Sequence, residues 1–138
     1  LDSVTFGPQL EGHSIGRIGR TGDWTLTRPT LGAPNIALAL GEAAAVRVAD
    51  WTANPREGER DTLSLANPGA LPVALDGMRL TISRLARRRG LFSRREFIGA
   101  TAGLTLDSRA LGFKLPAAQG EIGLANAAGR WVERLVYG

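Results

Sequence analysis

The sequence predicts an all-β fold, a β-sandwich of short antiparallel strands, on three observations. Apolar and polar residues alternate with period two in several short runs, as in "TLSLAN" (62–67) and "MRLTIS" (78–83), the pattern of a strand with one buried face. Clusters of Asn, Pro, Gly and Asp separate the runs, and 18 Gly with 7 Pro favour many short strands over a few long helices. The runs recur often enough after Val46 to give about seven strands in roughly 100 residues, the size of a sandwich.

The elements follow in order. "VTF", "SIGRI" and "WTLT" read as strands within residues 1–35, and "RPTLGAPN" (28–35) as an irregular extended link. "IALALGEAAA" (36–45) has helix-favouring residues but no polar face, so it reads as a linker with one turn. "VRVADWTA", "TLSLAN", "PVAL" and "MRLTIS" are the next strands, punctuated by "NPREGERD", "NPG" and "DG". "REFI", "ALGFKL", "EIGLAN" and "WVERLVY" complete the series, the last two joined by a "NAAG" turn.

Composition narrows the function classes. The chain has 138 residues, enough to bury one core. With no cysteine and a single histidine it can make neither a disulfide nor a thiolate metal site, so no cofactor or metal is expected. No apolar run is long enough for a membrane-spanning helix, and no membrane insertion is expected. The net charge of +4 comes from sixteen Arg against one Lys, Lys114. That skew weakens any argument that merely counts arginines.

The two ends of the chain match in pattern: "LDSVTFG" (1–7) and "VERLVYG" (132–138) each run apolar, acidic, then aromatic and glycine. The spacing is 131 residues, which reads as one period of a tandem repeat. In that setting "GEIGLANAAGRWVERLVYG" (120–138) resembles the closing hairpin of bacterial lamin tail domains. "DTLSLANPGALPVALDGMRLT" (61–81) is similar to the family's Asn-Pro turn and following strand, and "VADWTANP" (48–55) to its opening strand. The chain departs from the family where Thr62 and Ser64 replace Trp and Glu, and where Met78 replaces an aromatic residue. The resemblance implies an immunoglobulin-like β-sandwich over residues 46–138, a linker at 36–45, and at 1–35 the C-terminal tail of a preceding copy. It also implies a non-catalytic interaction or structural module, serving adhesion or spacing in a secreted or cell-surface bacterial protein. An unidentified protein or polysaccharide would be its partner.

Other motifs point to chemistry and are weighed against it. "GHSIG" (12–16) fits a nucleophile elbow at Ser14, but the elbow needs a helix after the serine and a later histidine, and the only histidine is His13. "SRREFIGATAGL" (93–104) has a twin-arginine look but falls between expected strands. Glu57, Glu59 and Asp61 read as a solvated loop, and Trp24, Trp51 and Trp131 as packing residues. The remaining site is "RLARRRGLFSRR", in which Arg84, Arg87, Arg88, Arg89, Arg94 and Arg95 form a basic loop. Guanidinium groups at this density suit bidentate contacts to nucleic acid or an acidic glycan. Finally, Leu1–Gly7 has a strand pattern with an apolar face at Val4 and Phe6, and is expected to add to a sheet edge in cis or on a second copy.

Overall fold

The computed structural model describes residues 3–20, 22–53, 56–82, 89, 90, 92 and 95–138. The strands are β1 (Ser14–Arg17), β2 (Trp24–Arg28), β3 (Ile36–Ala37), β4 (Arg47–Thr52), β5 (Thr62–Asn67) and β6 (Val73–Ala74). They continue with β7 (Arg79–Ile82), β8 (Arg89–Gly90), β9 (Phe97–Ile98) and β10 (Ala102–Asp107). A one-turn helix, α1 (Ser108–Leu111), precedes β11 (Gly120–Ala125) and β12 (Trp131–Tyr137).

Two antiparallel sheets face each other across one core. One has the order β10-β5-β4 and the other β12-β11-β7-β8. Alternation decides which side chains meet between them: Leu63 and Leu65 of β5 point inward, as do Leu80 and Ile82 of β7 and Ile122 and Leu124 of β11. Thr62, Ser64 and Thr81 take the outward positions, so the period-two pattern read in the sequence is the pattern of the core. Burying one such leucine contributes about 1.5–3 kcal/mol. Between the sheets Glu133 of β12 accepts a 2.6 Å hydrogen bond from the Val48 N–H of β4, beside the register shift between Val48 and Asp50.

The Asn-Pro turn is fastened by Asn67, which is buried. Its amide donates to the Leu71 and Gly99 carbonyls at 2.8 and 2.9 Å, and its carbonyl accepts from the Gly69 N–H. One side chain thus ties two loops that are distant in sequence.

Three expectations change. "ALGFKL" is not a strand: Asp107 accepts from the Ala110 N–H and Gly112 adopts φ 72°, so this stretch opens with the capped turn α1. The strand lies just before it, in "AGLTLD". Within 36–45 the linker supplies a third strand, β3, to an N-terminal sheet β1-β2-β3, while Ala43–Ala45 form the expected single turn. Trp131 is not core: it is 51% exposed on the outer face of its sheet, lying over Gly123 of the neighbouring strand. An aromatic ring over a cross-strand glycine covers backbone that the missing side chain leaves open.

Candidate functional site

Four of the six arginines of the basic loop, Arg84, Arg87, Arg88 and Arg94, lie outside the described residues. The other two are Arg89 and Arg95. Arg89 is in β8, which pairs with β7 so that Gly90 faces Arg79. Arg95 reaches Asp76 with a 2.9 Å ion pair, and the Glu96 N–H donates to the same carboxylate at 3.3 Å. Beside this pair opens a cleft of about 550 Å³ whose walls include Thr5, Trp24, Asp76, Arg79, Phe92 and Arg95. Asp76 pairs with Arg95, and among the described residues of the cleft the exposed Arg79 is a further cation, one that the sequence reading passed over. Its place next to the basic loop is set by β7–β8 pairing, a long-range fact with no local signal.

A second cleft of similar volume, about 550 Å³, lies by the loop where Glu57, Glu59 and Asp61 fall, with Arg56, Arg60 and Lys114 around it. Glu57 and Glu59 are exposed, as expected. Asp61 is not solvated: it is 6% exposed and accepts a 2.7 Å hydrogen bond from the Leu115 N–H. Its own backbone carbonyl accepts from the Ser108 N–H, so the residue anchors the loop after β10. Nearby Asp107 is held below its ordinary carboxylate pKa of 3.8, first by the Ala110 N–H and then by the Arg60 guanidinium at 2.7 Å. A carboxylate held ionised in this way is a cap and an ion-pair partner, and a poor proton donor at neutral pH.

The weighed motifs resolve in the same manner. Ser14 sits in β1 and shares a 2.9 Å hydrogen bond with the Thr27 hydroxyl of β2, while His13 Nδ1 is 2.8 Å from the Glu11 carbonyl. A hairpin follows Ser14, not the helix an elbow requires. The end of the twin-arginine stretch is folded into β9 and β10. Trp51 does pack on the core and meets the Tyr137 ring in a tilted contact at 5.2 Å. Trp24 instead lies under the Arg17 guanidinium at 5.2 Å, with its indole N–H buried and no acceptor among the described residues.

Compared with family models, with curated proteins and with solved structures, the chain finds a match in none of the three.

Proposed function

We propose that the chain is a non-catalytic interaction or structural module of the lamin-tail type, an immunoglobulin-like sandwich serving adhesion or spacing in a secreted or cell-surface bacterial protein. One observation carries this reading: five acidic side chains, among them the buried Asp61, are spent on the framework. Asp61 and Glu133 accept from backbone N–H groups of distant segments, Asp107 caps α1, and Asp76 and Glu121 pair with Arg95 and Arg134. The β11–β12 hairpin, which falls on the residues that carry the resemblance, also supports it. The test is a screen of the purified chain against ester, peptide, glycosidic and phosphoester substrates. No turnover above buffer is the expected result; turnover that co-purifies with the chain and disappears in Asp61→Ala or Asp107→Asn at a temperature where both variants stay folded overturns it.

A second reading is binding of an anionic polymer, nucleic acid or acidic glycan, through Arg84, Arg87, Arg88, Arg89, Arg94 and Arg95. The favouring observation is that β8, which carries Arg89, pairs with β7, which carries the exposed Arg79. Binding to heparin or duplex DNA should weaken linearly in log affinity against log salt. Retained affinity after Arg79, Arg87, Arg88 and Arg89 are all changed to Ala would remove this reading.

A further inference from the structure

Residues 5–10 run alongside residues 95–99 in one direction and in step. Phe6 bridges Arg95 in parallel, Pro8 borders a small cavity with Phe97, and Leu10 comes up to Gly99. The segment therefore runs parallel to the chain leading into β9, on the side away from β6, and its one bridge is at Arg95. It also leans on Leu104 and Leu106 of β10, a strand that ends its own sheet among the described residues.

The docking is slight. Two backbone hydrogen bonds hold it, Gly7 N–H to Arg95 O and Arg95 N–H to Thr5 O, both 3.3 Å and at the long end of the useful range. The ladder stops there: the Gly7 carbonyl, the next acceptor in it, takes a 2.7 Å hydrogen bond from the Gln9 side-chain amide. Phe6 remains 55% exposed, and an apolar cavity of about 50 Å³ remains under Pro8. The link to β1 is a turn in which the His13 N–H meets the Leu10 carbonyl at 3.2 Å and Gly12 takes φ 72° with open space around it. Straightening that turn loses one hydrogen bond.

We propose that the Arg95–Gly99 edge is an exchange site, and that its occupant in trans is Thr5–Leu10 of a second copy of this chain, docked in the same parallel register. Every contact the segment makes in cis is available in trans, so exchange costs only the turn and the entropy of association, the condition under which swapping occurs. The cis segment competes with an effective concentration in the millimolar range, so exchanged dimers accumulate as protein concentration approaches that range or when copies refold together. Because the chain has no cysteine, two single variants read the register directly.

Phe6→Cys and Arg95→Cys chains are mixed, refolded together at increasing concentration and oxidised, and the dimers are mapped by mass spectrometry. The expected product joins position 6 of one copy to position 95 of the other, several-fold over the 6–6 and 95–95 pairs, and rises with concentration. Arg95→Cys loses the Asp76 ion pair, so a second arm leaves that residue alone: light scattering of the unaltered chain against Pro8→Asp, which sets a charge against Phe97 and Leu104. A concentration-dependent dimer that falls several-fold in Pro8→Asp supports the proposal. No dimer up to the millimolar range, a dimer indifferent to Pro8→Asp, or 6–95 pairs no commoner than the symmetric ones overturns it.

Discussion

Two stretches of this chain share a seven-residue pattern and meet opposite fates. Val132–Gly138 supplies all but the first residue of β12, paired with β11 along the whole of the latter. Among the described residues of Leu1–Gly7 the pairing amounts to one bridge at Phe6. The corresponding aromatics make the contrast plain. Tyr137 is partly buried, packs at a tilt against Trp51 and donates a 2.8 Å hydrogen bond to the Pro116 carbonyl, whereas Phe6 lies mostly in solvent. Local pattern makes both segments competent as strands. What separates them is the length of unpaired backbone they meet.

The largest test of that contrast is truncation of the two aromatics. Tyr137→Ala should cost roughly 2–3 kcal/mol, since it removes a ring packed against the core and orphans a carbonyl. Phe6→Ala should cost less than about 0.5 kcal/mol, as an exposed substitution. Urea melts of both variants check this, and equal losses would mean the N-terminal segment is held as firmly as β12.

A second test uses the glycines beneath each stretch. A Cβ on Gly123 would lie 2.5 Å from the Trp131 ring of β12 and 2.6 Å from Thr81 Oγ1, so Gly123→Ala should destabilise by about 1–3 kcal/mol through overpacking. The atoms nearest a Cβ on Gly7 all belong to the Glu96 side chain, which can turn aside more readily than a packed ring, so Gly7→Ala should cost less, under about 1 kcal/mol. Thermal unfolding of the pair distinguishes a rigid neighbour from a yielding one.

Smaller still is the tie that Glu133 makes to β4. Glu133→Ala leaves the Val48 N–H without its acceptor at a partly exposed edge, a loss of about 1 kcal/mol. The direct readout is faster amide exchange at Val48 with the rest of β4 unchanged. The equivalent acid in the first stretch, Asp2, lies outside the described residues.

These contrasts also explain how much could be read in advance. Strands with one buried face were legible, because Leu63 and Leu65 or Leu80 and Ile82 mark their inward side within a few residues. Features set by distant partners were not. Asp61 is buried because Leu115, 54 positions away, needs an acceptor. Trp131 faces solvent because it stands opposite Ala125 at a register shift in the hairpin. "ALGFKL" scans as a strand until Asp107 is seen capping the turn and Gly112 ending it. Of the basic loop, pairing places Arg89 and the Asp76 contact places Arg95, and neither is encoded within the run of arginines itself.

The smallest expected effect is confined to alkaline pH and belongs to Tyr137, the chain's only tyrosine. Burial is the main cause that raises its phenol above the ordinary value of 10.0, and the Asp61 carboxylate adds to the shift. A raised folded pKa means that the native state holds the phenolic proton more tightly than the unfolded chain does. Its contribution is therefore complete below pH 10 and is lost as pH rises through the folded pKa, where the native phenol ionises as well. Ultraviolet titration of the native chain follows this one group, and its midpoint should lie above that of the urea-unfolded chain. In Tyr137→Phe the fall in melting temperature above pH 10 should be shallower than in the parent, although the variant starts lower by the lost hydrogen bond. Coincident native and unfolded midpoints would show that β12 shields its aromatic no better than the first stretch shields Phe6.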